Sequence, residues 1–177
     1  MRIISGKYKR RTILPPKNLP VRPTTDMAKE SLFNILGNYF DFTGKQSLDL
    51  FAGTGNISYE LVSRGCKTVT AVDKDYGCTK FISTTAQKLD MVELDIVRLD
   101  VFHFLKSTKK KYDIIFADPP YQLTNIMEIS KLIFEYDLLN PDGWLIVEHP
   151  AEINFAESVH FYDHRKYGRV NFSFFNI

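Results

Sequence analysis

Asp118-Pro119-Pro120-Tyr121 follows directly on the apolar run Ile114-Ile115-Phe116-Ala117. Consecutive prolines lack N–H donors and fix φ, so this tetrapeptide cannot prolong a central strand and reads as a stiff loop at its end. A carboxylate (Asp118) and a carbonyl (Pro119) held side by side can accept both hydrogens of one NH2 group. An exocyclic amine on a nucleic-acid base is a poor nucleophile because its lone pair is delocalised into the ring. Two fixed acceptors turn that nitrogen toward tetrahedral geometry, aim its lone pair and stabilise the positive charge that grows on it. Tyr121 offers a flat face for an extruded base, a contact worth roughly 1–3 kcal/mol in single-strand binding. At an ordinary Asp pKa of about 3.9 the Asp118 carboxylate is ionised and able to accept. A strong base is not required, since a methylated amine sheds its proton readily. The plain alternative is a proline turn with a capping Asp and a core Tyr.

A second cluster lies upstream, in Asp49-Leu50-Phe51-Ala52-Gly53-Thr54-Gly55-Asn56. Gly53 and Gly55 remove Cβ atoms where the chain must turn, so that a ligand can approach the backbone closely. Phe51 and Thr54 belong to the same turn, and Asn56 is a good N-cap for a following helix. Asp73 stands 18 residues after Gly55, where an acid can accept from both hydroxyls of a ribose. Asp100 is placed to meet an adenine amino group, with the Val101 N–H beside it. A G-x-G turn alone also suits a dinucleotide. Here the fingerprint's third glycine would fall on Ser58, and the carboxylate of Asp49 would repel a pyrophosphate. The same carboxylate would attract the cationic methionine end of S-adenosylmethionine, which is the expected cofactor. A ligand-free turn explains the glycines but not acids at successive strand ends, the edge where open α/β sheets bind ligands.

The surrounding pattern supplies those ends. Strand-like runs fall at 47–51, 68–72, 93–99, 113–117 and 144–148, with helix-like segments at about 57–64, 75–89, 101–108 and 124–136. Strands apolar on both faces and separated by helices imply a parallel sheet covered on both sides, an α/β fold. After Pro150 the period drops to two, at 159–162 and 170–174, which predicts two closing antiparallel strands. Ala28, Leu32, Ile35 and Tyr39 recur at helical spacing in a helix over 26–39, capped by Thr25 or Asp26. The proline-rich run at 15–20 separates this helix from an extended β-hairpin arm, so the expected division is residues 1–25 as arm and linker and 26–177 as the main body.

Composition narrows the setting. With 177 residues, 44% of them hydrophobic, and a mean hydropathy of -0.19, the chain fits one layered core and is not disordered. The net charge of +2 hides an asymmetry. Arg2, Lys7, Lys9, Arg10, Arg11, Lys17 and Arg22 crowd residues 1–25 with no acid among them, leaving 16 Lys/Arg against 21 Asp/Glu elsewhere. A basic end on an acidic body suggests contact with a polyanion; a merely solvated terminus is the other reading. Cys66 and Cys78, with the four histidines, show no metal-ligand spacing, so no metal is expected. No apolar run reaches the roughly 20 residues of a membrane span, and no signal peptide is evident. A reducing cytoplasm is the expected compartment.

Lys109-Lys110-Lys111 reads as a solvated turn, Trp144 as core, and Arg64 as a cation at a helix C-terminus that could reach substrate.

Taken together these residues resemble the RsmD-type methyltransferases, which modify the exocyclic amine of a guanine in 16S ribosomal RNA. The resemblance runs through Ile4-Ser5-Gly6 with Arg10-Arg11, Arg22-Pro23-Thr24, Glu30, Leu32-Phe33-Asn34-Ile35-Leu36, and the 48–55 turn. It continues in Ser63-Arg64-Gly65, Asp118 to Tyr121, and Glu148. It implies a class I, Rossmann-like fold with a seven-stranded, mostly parallel sheet, helices on both faces and an N-terminal hairpin. It also implies cofactor contacts from Asp49, Gly53, Gly55, Asp73 and Asp100, a target guanine held by residues 118–121, and rRNA bound through Lys7, Lys9, Arg10, Arg11 and Arg22. Two features depart from the family: Asp73 stands where Glu is common, and the basic arm has few aromatics, which suits phosphate contact more than base readout. The expected substrate is 16S rRNA in a 30S subunit or assembly intermediate, and a monomer is the default. A DNA adenine amino-methyltransferase shares the tetrapeptide chemistry, but these 177 residues hold no target-recognition insertion. A non-catalytic RNA-binding assembly factor would need neither motif.

Overall fold

The computed structural model describes residues 1–16, 19, 26–39 and 41–177. Helix α1 (Asp26–Tyr39) precedes β1 (Gln46–Leu50), α2 (Asn56–Ser63), β2 (Thr68–Asp73), α3 (Tyr76–Leu89) and β3 (Leu94–Arg98). Then come α4 (Val101–Ser107), β4 (Tyr112–Ala117), α5 (Ile126–Glu135), β5 (Leu139–His149), β6 (Phe161–Tyr167) and β7 (Val170–Asn176). The seven strands form one sheet in the order β3-β2-β1-β4-β5-β7-β6. Strands β1 to β5 pair in parallel, while β7 runs antiparallel to both β5 and β6.

Residue alternation explains how each face is covered. Ala71, Ile114, Phe116 and Ile146 pack beneath Leu32 and Phe33 of α1, Ile57 and Leu61 of α2, and Ile82 of α3. Leu48, Leu50, Val72, Ile115 and Val147 point the other way, onto Val101 and Leu105 of α4 and Ile129 and Ile133 of α5. Strands apolar on both sides are thus buried on both sides, as a parallel sheet requires. The chain fills β1, β2 and β3 in one direction, then crosses back to lay β4 on the other flank of β1. The carboxyl ends of β1 and β4 therefore border the crevice at a topological switch point, where ligands of open α/β sheets bind.

Two elements differ from the sequence reading. Strand β5 begins at Leu139, five residues early, because Leu139 pairs with Tyr112 across an irregular register before regular pairing starts at Trp144. Strand β6 lies at Phe161–Tyr167, later than the expected 159–162, since Ser158 and His160 are engaged in turns.

The described part of the N-terminal arm is a short antiparallel hairpin that docks on the body. Arg2 bridges Thr12, and Ile3–Arg11 and Ile13–Met1 backbone bonds flank the bridge. The arm's apolar residues Ile3, Tyr8 and Ile13 are buried in the same core as α1 and α2. Buried charge holds it there. Glu60 of α2, fully buried, accepts the backbone N–H groups of Ile4 (2.7 Å) and Ser5 (3.1 Å) and the Arg64 Nε–H (2.8 Å). Buried Lys29 lies 3.7 Å from the same carboxylate and donates to the Arg2 carbonyl and to Asn56 Oδ1, each at 2.7 Å. The Arg64 guanidinium lies over the ring of Phe33, 4.6 Å from its centroid. Gly6, at φ +77°, presses against α2 so closely that a Cβ would sit 1.7 Å from the Ser63 carbonyl oxygen. Arg22 and the possible cap Thr25 lie outside the described residues. Among the described residues, no helix is long and apolar enough to cross a membrane.

Candidate active site

Four acids gather at the carboxyl edge on one face of the sheet. Their neighbours Leu48, Leu50, Val72, Ala117 and Val147 face α4 and α5, so alternation sends Asp49 (β1), Asp73 (β2), Asp118 (after β4) and Glu148 (β5) to the opposite face. Asp49 is register-paired with Phe116, and the Asp118 N–H donates to the Leu50 carbonyl at 3.3 Å, which ties the proline loop to the end of β1. The sequence separation of 69 residues between the two motifs is closed by that one strand pairing.

Desolvation dominates the electrostatics. Burial pushes the Asp49 carboxyl up to about 7, against a hydrogen bond from the Ser58 hydroxyl and with added repulsion from Asp118 and Asp73. Ser58, the residue that spoils a dinucleotide fingerprint, thus has a partner of its own: it orients the acid at the turn. Glu148 is pushed up to about 8, first by burial and then by the Asp118 charge, while the Tyr121 hydroxyl, 3.5 Å from its Oε1, opposes the shift. A crowded, poorly solvated row of carboxyls suits a ligand that brings positive charge and N–H donors.

The turn beside them is shaped for close approach. Phe51 adopts φ 60°, a left-handed conformation that costs a non-glycine residue of order 1–3 kcal/mol and is typical of sites held under constraint. Gly55 (φ 79°) begins α2, and a Cβ there would meet the Tyr59 ring at 2.8 Å. Asn56 was the expected cap. Gly55 occupies the cap position instead, and Asn56 turns its side-chain oxygen to buried Lys29. The Gly53 N–H donates to Asp73 Oδ2 (2.8 Å), and Asp73 Oδ1 accepts from Asp75 N–H (2.8 Å). Asp73 thereby braces the glycine turn, and each oxygen keeps a lone pair for a further donor. Thr54 is buried, its hydroxyl 3.5 Å from the Met1 sulfur.

Asp100 caps α4, its Oδ1 accepting from Phe102 N–H (3.0 Å) and His103 N–H (3.2 Å), while its neighbour Val101 anchors the helix in the core. Within the tetrapeptide, Pro119 is buried, Pro120 and Tyr121 are exposed, and the Leu123 N–H closes the loop onto the Pro120 carbonyl at 2.8 Å. Lys7, Lys9, Arg10 and Arg11 are all exposed on the docked N-terminal segment, and Arg10 is held at φ 70°. Glu148 had no role in the residue-by-residue reading. Its one signal was a lone acid closing the apolar run Trp144-Leu145-Ile146-Val147. The cations set aside earlier have local partners: Lys110 with Asp95, Lys111 with Asp137, and Arg64 with Glu60.

Comparison with known proteins agrees with this architecture. The model of the family described as "Conserved hypothetical protein 95" matches residues 1–176. Bacillus subtilis YlbH is 36% identical over 163 residues, covering 90% of this chain and 88% of its own. A Buchnera aphidicola protein named "Ribosomal RNA small subunit methyltransferase D" is 33% identical over 156 residues, covering 87% of this chain and 78% of its own. The solved structure of Escherichia coli yhhF superposes with a TM-score of 0.85 at 26% identity, over 99% of this chain and 97% of that one. With its class I Rossmann-like sheet and a family match from end to end, this chain belongs to the RsmD-type methyltransferases.

Proposed function

We propose that this protein transfers a methyl group from S-adenosylmethionine to the exocyclic N2 of a guanine in 16S ribosomal RNA, acting as a monomer in the cytoplasm on a 30S subunit or assembly intermediate. The observation that carries the reading is the proline-stiffened Asp118 loop, hydrogen-bonded to the strand whose end bears Asp49 and the glycine turn. When bound, S-adenosylmethionine supplies an activated, sulfonium-borne methyl. The chain's own part is to hold and orient. Asp49, Phe51, Gly53, Thr54, Gly55 and Asn56 form the cradle, Asp73 takes the ribose, and Asp100 with the Val101 N–H takes the adenine edge. Asp118 and the Pro119 carbonyl accept the two amine hydrogens, Pro120 keeps that pair stiff, and Tyr121 stacks on the base. The proton lost after transfer passes to Asp118 or to water. The name of the Buchnera relative supports a small-subunit rRNA substrate.

The test is transfer of labelled methyl to 30S particles, naked 16S rRNA and duplex DNA, followed by nucleoside analysis. The expected product is N2-methylguanine from RNA. Label appearing only in N6-methyladenine would defeat the guanine assignment.

Two expectations accompany it. Asp49, raised to about 7, holds a proton near neutrality that a cationic ligand displaces. Calorimetry at pH 7 in two buffers of different ionisation enthalpy should therefore show proton release on cofactor binding, and Asp49→Asn should abolish it. The same shift makes the ligand-free fold bind more protons than the unfolded chain between about pH 4 and 7. The stability of wild type relative to Asp49→Asn should therefore fall as pH rises through that window. A rise across it would contradict the assignment.

The exposed cations of residues 7–11 should contact phosphate. Neutralising Arg10 and Arg11 together should raise the RNA KM and reduce the slope of log affinity against log salt by roughly 1–2, as loss of two phosphate contacts does. An unchanged KM would mean that these residues are only solvated.

A further inference from the structure

We infer that Glu148 is the residue that selects guanine among the exocyclic amines, by accepting a hydrogen bond from its ring N1–H while Asp118 and Pro119 hold the adjacent NH2. The inference rests on the amino-methylation reading above and deepens it by naming what recognises the base.

The observations are positional. Glu148 ends β5, the strand beside β4, and alternation places its side chain on the same face as Asp118. Adjacent strands lie about 4.8 Å apart, so acceptors on neighbouring strand ends can meet adjacent atoms of one ring edge. Glu148 is only 5% exposed, yet its Oε2 has no hydrogen-bond partner among the described residues. A buried, unpaired carboxyl oxygen is costly, and such a group calls for a donor that the resting structure does not supply. Its other oxygen is 3.5 Å from the hydroxyl of Tyr121, the ring proposed to stack on the base. The site that receives the amine thus adjoins an acid short of one donor.

Base chemistry says which donor fits. In guanine the amine at C2 is flanked on one side by N1–H, a donor. The amine of adenine is flanked by N1 and that of cytosine by N3, both bare acceptors. An ionised Glu148 beside the amine pocket pairs with the first and repels the other two. Burial and the Asp118 charge disfavour that ionised form in the resting site. Guanine must therefore displace the Glu148 proton, and its N1–H stabilises the ionised form; a protonated Glu148 would instead donate to a bare ring nitrogen, so the guanine preference should widen as pH rises.

The experiment first maps the guanine that the wild-type enzyme methylates, then replaces it with 2-aminopurine, which keeps the C2 amine but has no hydrogen on N1. The wild-type enzyme should prefer guanine by about tenfold or more in kcat/KM. Glu148→Ala should bring the two substrates together by slowing guanine. Glu148→Gln, which presents an N–H donor, should gain on 2-aminopurine relative to guanine. Equal wild-type rates on the two bases would overturn the inference without any variant. So would a guanine preference unchanged in whichever variant folds and binds sinefungin like wild type. If wild type labels adenine and no guanine, the underlying reading fails, and this inference with it, before the comparison begins.

Discussion

Asp118→Ala should lower kcat by about 100- to 1000-fold while cofactor affinity stays close to wild type. The magnitude follows from losing one fixed partner to charge that develops only in the transition state. The selectivity follows from position. Asp118 stands at the end of β4, across the switch point from the Gly53–Gly55 turn, and its backbone N–H, which the variant keeps, bonds to β1. Its charge also raises the carboxyls of Asp49 and Glu148, so removing it eases ionisation of Asp49 and gives no reason for the cofactor to bind less tightly. Asp118→Asn separates two contributions. The amide oxygen can still accept one amine hydrogen, so orientation survives in part while the compensating charge is lost. Its rate should fall between wild type and the alanine variant. Rapid-quench single-turnover transfer, with sinefungin binding measured alongside, checks both. A rate within tenfold of wild type, or a matching collapse in sinefungin affinity, would refute the division of roles argued from the loop.

How much of this was open to the sequence differs from residue to residue, for physical reasons. The sheet was legible because its strands are short apolar runs broken by helical periods, a pattern that admits one layered solution. Asp73 and Asp118 stand out because each closes such a run, and Asp49 because it interrupts one just before the glycine turn. Their sharing of one face follows from alternation once the strand order is known, but the order itself is tertiary: nothing local says that β4 lies beside β1 and not beside β3. Glu148 was harder because its meaning depends entirely on being next to Asp118. The hairpin of the arm was legible, but its docking was not. What seats it is Glu60, a single acid inside α2 whose partners are backbone N–H groups 55 and 56 residues away. Backbone donors carry no sequence signature, so no pattern of side chains could have announced the contact. Asn56 went wrong similarly: its capping propensity was real, but Lys29, 27 residues earlier, claimed its oxygen.

That seating makes Glu60→Ala the substitution with the largest expected cost to stability, about 3–5 kcal/mol, as when one partner of a buried ion pair is removed. The variant strands four groups at once: the ammonium of Lys29, the guanidinium of Arg64 and the N–H groups of Ile4 and Ser5. Burial already holds the Lys29 pKa below its ordinary value, with the Glu60 charge as the main opposing influence. Deleting that charge lowers it further. A lysine depressed in the folded state sheds its proton more readily there than in the unfolded chain, so folding of the variant should strengthen as pH rises toward the unfolded lysine value of about 10.4. Urea melts at pH 7 and pH 9.5 should therefore show a smaller Glu60→Ala deficit at the higher pH. Adding Lys29→Met should recover part of the loss at pH 7, because it removes the more deeply buried stranded charge and leaves Arg64 and the two backbone donors without their acceptor. Amide exchange at Ile4 and Ser5 should remain fast in both variants, since neither restores their acceptor. A deficit that is independent of pH and untouched by Lys29→Met would show that Glu60 holds the arm through backbone contacts alone and that its pairing with Lys29 contributes nothing.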